Sequence, residues 1–122
     1  MRFLTLDLLG ASGPIDEPPI SPPERFRRVV EDAVRAEELG FDGVGIGEHH
    51  QAGFLSSAPT VVLGAIAART SRIRVVSAVT VLSLLDPVRV AEDFATLDNL
   101  APGRVDLIVG KGNTAEQNAL FG

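Results

Sequence analysis

Residues 72–109, RIRVVSAVTVLSLLDPVRVAEDFATLDNLAPGRVDLIV, decide how this chain folds. Two runs rich in Val and Ile, at 72–82 and 104–109, flank a segment that opens with Asp86 and Pro87 and closes with Pro102 and Gly103. An Asp can cap a helix, Pro suits its first turn, and Pro-Gly stops it. Inside that segment Val90, Phe94, Leu97 and Leu100 keep a helical spacing, while Arg89, Glu92 and Asp93 can pair along its surface. Strand, helix and strand in this order predict a parallel βαβ unit with a right-handed crossover.

The same rhythm extends in both directions. Upstream, FDGVGIG at 41–47 reads as another buried strand, and Ser57 and Pro59 open a helix whose interior, VVLGAIAA, is apolar nearly all round. Before it, Ser21, Pro22, Pro23 and Glu24 spell a capped helix start. Phe26, Val29, Val30, Ala33, Val34 and Leu39 form its apolar stripe, the Arg and Glu residues take the other side, and Gly40 ends it. RFLTLDLL at 2–9 predicts a first strand buried on both faces. Downstream, GKGN at 110–113 leads to Thr114 and Gln117, a second capping-box pattern, and to a helix begun by AEQNALFG. The order is βαβαβαβ(α), an α/β fold with a parallel sheet. Two architectures remain open on this pattern: a doubly wound sheet, or a TIM (β/α)₈ barrel, which needs about 250 residues and of which four strands would be half.

Composition narrows the partners. With 45% hydrophobic and 22% charged residues, the 122-residue chain can build one globular domain over 1–122. A net charge of -5 with no basic run argues against nucleic acid. The absence of cysteine removes disulfides and thiolate metal sites and suits a cytoplasmic protein. Asp7 interrupts the short apolar run at the start, and no stretch approaches the ~20 apolar residues of a membrane span, so no membrane association is expected.

In either architecture the carboxyl ends of parallel strands share one face, and the unusual residues collect there. Asp7 lies near the end of the first strand, Glu48, His49 and His50 at the second, Ser77 to Thr80 at the third, and Gly110, Lys111, Gly112 and Asn113 at the fourth. The opposite ends carry Asp42, Arg72, Arg74 and Arg104. Neighbours in an extended segment point to opposite sides, so one of the two adjacent histidines faces the site while the other packs or hydrogen-bonds behind it. An imidazole near a cleft is matched to proton transfer near neutral pH; the plain alternative is that both rings satisfy loop hydrogen bonds. No metal site is expected, because adjacent histidines do not converge on one ion. The GKGN turn joins a cation to close backbone amides, as an anion site requires, although a solvated lysine at a helix start would look the same. GVGIG lacks the dinucleotide spacing, and its glycines read as relief of crowding.

Four pieces carry a resemblance: AEELGFDGVGIGEHH, SSAPTVVLGAIAARTSRIRV, DPVRVAEDFATLDNLAPGRVDLIVGKG and ALFG. In this combination the chain resembles the bacterial luciferase-like, flavin-dependent monooxygenases. The resemblance implies the first, N-terminal half of a TIM barrel, incomplete as given, with reduced FMN over the strand ends, dioxygen as co-substrate and a small organic molecule as substrate. It implies His49 as the catalytic histidine, with Glu48 orienting it or lining the flavin site. It implies a non-proline cis peptide at Ala78–Val79 against the flavin ring. Lys111 stands where the family often has an arginine near the flavin phosphate. Gly110 stands where light-emitting members carry a reactive cysteine, so light emission is not implied. Deazaflavin-dependent hydride transfer is the alternative within the same fold, and a non-catalytic flavin-binding subunit is the alternative outside enzyme chemistry. Missing strands would expose two sheet edges, so a second chain completing the barrel or a homo-oligomer is expected, and the isolated half is expected to be inactive and prone to associate.

Overall fold

The structure, a computed structural model, describes residues 1–12, 18–112 and 115–121. Its elements run β1 (Leu4–Asp7), α1 (Pro22–Glu38), β2 (Gly43–Ile46), α2 (Pro59–Ala67), β3 (Arg74–Val81), a short 3-10 turn (Leu82–Leu84), α3 (Pro87–Leu100), β4 (Val105–Gly110) and α4 (Ala115–Phe121). The strands lie in the order β1-β2-β3-β4 and all pair parallel. Sequential order with no reversal leaves no switch point within the sheet, and α1, α2 and α3 pack in turn on one face. Both features match consecutive units of a (β/α)₈ barrel and not a doubly wound sheet.

The core lies between that face and the helices. Val44, Ile46 and Val75 from the strands meet Val29 and Ala33 of α1, Leu63 and Ile66 of α2, and Val90, Phe94 and Leu97 of α3. The other face is bare near β1. Leu4 and Leu6 are 52% and 61% exposed, which corrects the expectation of a first strand buried on both faces. The reason is positional: β1 is an edge strand, and no helix among the described residues covers its second face. Across from these leucines, β2 carries glycine. A Cβ at Gly43 would lie 3.0 Å from Leu4 Cδ2, and one at Gly45 would lie 3.3 Å from Leu6 Cδ1. The β1 side chains thus lean over β2 into space that only glycine leaves, the crowding relief read from GVGIG.

Helix starts differ in quality. Ser21 Oγ accepts the Glu24 amide at 3.4 Å, but the Glu24 carboxylate turns to Arg27, so only half of the capping box forms. Asp86 Oδ1 accepts the Val88 and Arg89 amides at 2.8 and 3.1 Å, a full cap for α3. The cap position of α2 is Ala58, which offers no side-chain bond, and Ser57 does not replace it. On α1 the buried charged residue is Arg25, not the expected apolar Phe26, which is 37% exposed. Arg25 reaches Asp7 of β1, and this pair takes Asp7 out of the strand-end cluster and turns it toward the helix layer. Leu100 is exposed at the end of α3 although the stripe predicts it packed. Thr114, the expected cap of α4, lies outside the described residues, as does Asn113.

Candidate active site

The end of β2 opens into a loop that folds back on β1. Leu55 N donates to Leu9 O at 2.9 Å, Ala11 N donates to Gly53 O at 2.8 Å, and Gly10 and Phe54 form an antiparallel bridge. Ser56 is wholly buried. Its hydroxyl donates to Gly47 O, and its carbonyl accepts the His49 amide at 2.9 Å. The residues between 47 and 56 are thereby tied to a fixed frame.

Within that frame the two histidines do different things. His50 Nε2 lies 2.7 Å from Glu48 Oε1, an arrangement in which the ring N–H donates to the carboxylate. Glu48 Oε2 accepts the Val81 amide at 2.9 Å, so this carboxylate, 4% exposed, ties the end of β2 to the end of β3. A buried carboxylate needs such donors to offset its lost hydration. The ring of His50 also meets Phe121 of α4 edge-on, centroids 4.7 Å apart. His49 has no part in that network; its ring stacks on Phe54 with centroids 4.1 Å apart and planes at 23°. As the extended backbone predicts, one imidazole faces the open space and the other is held behind it. Of the two roles that the resemblance left for Glu48, orienting His49 is not seen; its partner is His50.

A cavity of about 300 Å³ sits at the strand ends, lined by Gly47, Glu48, His49, Ala78, Val79, Val81, Gly112 and Gln117. The peptide Ala78–Val79 is cis, and the β3–β4 register shifts between Ala78 and Thr80. Behind the shift, Ser77 and Thr80 are buried and their hydroxyls lie 2.6 Å apart. Of the residues singled out in the sequence, Glu48, His49, Ala78 and Val79 line the cavity together. Gly110 adjoins it: a Cβ there would stand 2.7 Å from Val79 Cγ2. Lys111 does not line it; the residue is exposed, and its carbonyl accepts the Ser83 hydroxyl at 2.6 Å. Gly112 of the GKGN turn lines the cavity as well, whereas Gly47, Val81 and Gln117 escaped the sequence reading as lining residues. Gly47 was read only as relief of crowding and Gln117 as a capping partner, whereas nothing marks Val81 among the valines of its strand.

The lining and volume suit the ring portion of a flavin or a deazaflavin. Ala78, Val79 and Val81 offer an apolar surface, Glu48 and His49 a polar edge, and the volume lies at the lower end of the roughly 300–1,000 Å³ typical of ligand sites.

A parallel βα sheet with its cavity and its polar side chains at the strand carboxyl ends defines a barrel-type enzyme site. More particularly, the chain belongs to the luciferase-like monooxygenase family, whose profile matches residues 1–122. It is 42% identical over 89 residues to the N-acetyl-S-alkylcysteine monooxygenase of Bacillus subtilis, covering 72% of this chain and 27% of that protein. It is 37% identical over 102 residues to an F420-dependent glucose-6-phosphate dehydrogenase of Kribbella flavida, covering 79% of this chain and 30% of that protein. The crystal structure of monooxygenase RslO1 from Streptomyces bottropensis superposes with a TM-score of 0.86 at 31% identity, over 99% of this chain and 36% of that one. The chain thus spans about a third or less of these proteins' length, and its sheet is the four-stranded part of a TIM-barrel fold.

Proposed function

We propose that this chain forms the N-terminal half of the barrel of a flavin-dependent monooxygenase that takes reduced FMN and dioxygen and oxidises a small organic substrate. The observation that carries the reading is the convergence of Glu48 and His49 from β2 with Ala78 and Val79 from β3 on one cavity. A reduced flavin supplies two electrons for the activation of dioxygen. The residues of the chain do the rest. Ala78 and Val79 would give the ring an apolar support and help exclude water, with Gly110 leaving room for the Val79 side chain. Glu48 holds the Val81 amide and the His50 ring, fixing the site's polar edge. His49, which lines the cavity, holds and releases a proton at its imidazole as the substrate is oxidised. Lys111, exposed beside Gly112, offers a cation for the phosphate end, without the forked geometry of an arginine.

The remaining strands come from the rest of a longer chain or from a partner, in keeping with the third of the relatives' length that this chain spans. No helix among the described residues is long and apolar enough to cross a membrane; the cytoplasm is the compartment that a chain without cysteine suits. A second reading, deazaflavin-dependent hydride transfer, draws on the 37% identity to the F420-dependent dehydrogenase. Titration of the complete protein with reduced FMN and with a reduced deazaflavin separates the two. Tighter binding of FMN is expected; selective binding of the deazaflavin would overturn the monooxygenase reading.

A further inference from the structure

We infer that Phe54 is a positioning residue for His49, setting the plane in which the imidazole meets the cavity. The inference rests on the reading of His49 as the proton-handling group. Two adjacent imidazoles are held by different means. His50 is fixed through a ring nitrogen by Glu48, whereas among the described residues neither ring nitrogen of His49 has a hydrogen-bond partner. The backbone of His49 is anchored on Ser56 O, but that bond leaves the ring free to turn about its own torsions. The aromatic contact that meets the ring is the stack on Phe54, centroids 4.1 Å apart with the planes inclined by 23°.

A face-on contact suits this task better than a hydrogen bond would. It covers one π face and leaves both nitrogens, which lie in the ring plane, clear of the contact. His49 lines that cavity and Phe54 does not, so the phenyl backs the ring. The phenyl is itself well placed to act as a fixed surface. Its backbone bridges Gly10, its neighbour Leu55 donates to Leu9 O, and Leu9 is wholly buried in the core. The orientation of a proton-transfer group is therefore referred, through one aromatic contact, to the end of β1.

The test has a spectroscopic arm and a kinetic arm. In the full chain labelled with ¹³C-histidine, the two histidines are told apart with a His50→Asn variant. The His49 ring protons are expected upfield from the Phe54 ring current, to move downfield in Phe54→Leu and to return in Phe54→Tyr. Unchanged His49 shifts in Phe54→Leu would overturn the stack as the holding contact. In the catalytically active protein carrying this chain, Phe54→Leu is expected to lower kcat roughly 10–100-fold with KM and FMN affinity held, and Phe54→Tyr to restore it. If His49→Ala abolishes turnover while Phe54→Leu leaves kcat intact, positioning fails and the reading of His49 stands. If His49→Ala leaves turnover intact, the reading of His49 fails, and the kinetic role given to Phe54 goes with it.

Discussion

The two ends of this sheet use polar side chains in opposite ways. At the amino ends of the strands, Glu37 accepts the backbone amides of Ser71, Arg72 and Ile73, tying α1 to the turn before β3. Arg104 donates to Thr70 Oγ1 and to the carbonyls of Ile73 and Ala67, Arg74 pairs with Asp106, and Asp42 accepts the Phe3 amide. Each group closes a valence within the chain. At the carboxyl ends, Glu48 is closed in the same manner, but beside it the ring of His49 keeps its nitrogens unengaged among the described residues, facing a cavity floored by Ala78 and Val79. The contrast separates holding the sheet together from offering a surface to a ligand, the division expected of barrel enzymes.

The strongest challenge to that separation is His49→Ala. It should cost on the order of 10²–10⁴-fold in kcat, the usual contribution of a positioned acid or base, while the melting temperature of the protein hardly moves. A large loss of stability with turnover retained would place His49 among the holding residues and erase the contrast. The mirror experiment is Glu37→Ala, expected to lower stability by about 2–3 kcal/mol, since several hydrogen bonds to a charged acceptor are lost, with cofactor affinity unchanged. Burial pushes the Glu37 carboxyl up, but the amides of Ile73, Arg72 and Ser71 and the Arg72 guanidinium outweigh it and hold the group at about 2, below its ordinary 4.5. Because the folded value is the lower one, the contribution is complete above pH 4.5 and is lost as pH falls toward 2. Urea unfolding of wild type and Glu37→Ala should therefore differ most near neutral pH and converge on acidification; a gap that widens in acid would reverse the assignment.

How much of this was legible in the sequence follows the same division. The strand-helix alternation was legible because each unit carries its own local signals: Val-rich runs, Asp86-Pro87, Pro102-Gly103 and the Ser21 cap all act over a few residues. The gathering of Glu48 and His49 with Ala78 and Val79 followed from topology together with a family resemblance, since parallel strands put their carboxyl ends on one face. What stayed hidden depends on contacts between distant segments. Nothing local tells that Arg25 will be buried against Asp7, that Glu48 will choose His50 and the Val81 amide, or that Phe54 will lie on His49. The exposure of Leu4 and Leu6 was misread for a related reason: an apolar run records what a strand can bury and not whether a neighbour is present to bury it.

Glycine substitutions sharpen the comparison within the carboxyl-end face itself. A Cβ at Gly110 would stand 2.7 Å from Val79 Cγ2, on a β-branched side chain with little freedom to yield. Gly110→Ala should cost about 1–2 kcal/mol and weaken cofactor binding by displacing Val79. At Gly47 the nearest obstacle, 2.6 Å away, is Leu8 Cδ2, the far end of a flexible side chain, so Gly47→Ala should cost less stability, even though Gly47 itself lines the cavity. Thermal unfolding of both variants checks the order, and cofactor titration of Gly110→Ala checks the binding; equal losses of stability would mean that the floor at Val79 is not a rigid surface.

The smallest effects test whether every residue near the carboxyl ends belongs to the site. Asp86 follows the turn after β3, yet its carboxylate is occupied by the amides of Val88 and Arg89, and it does not line the cavity. It is a holding residue placed at the ligand-facing end. Asp86→Ala should therefore cost about 1 kcal/mol through the lost cap while leaving kcat and FMN affinity at wild-type values. The converse change is Ala58→Ser, which offers α2 the side-chain acceptor it lacks. It should recover a few tenths of a kcal/mol, limited by the Ala58 backbone at φ -135 and ψ 71, away from the geometry Ser21 and Asp86 adopt. Paired urea unfolding and turnover measurements read both variants. If Asp86→Ala lowered turnover at unchanged stability, the boundary between holding and ligand-facing residues would run through α3 and not along the strand ends.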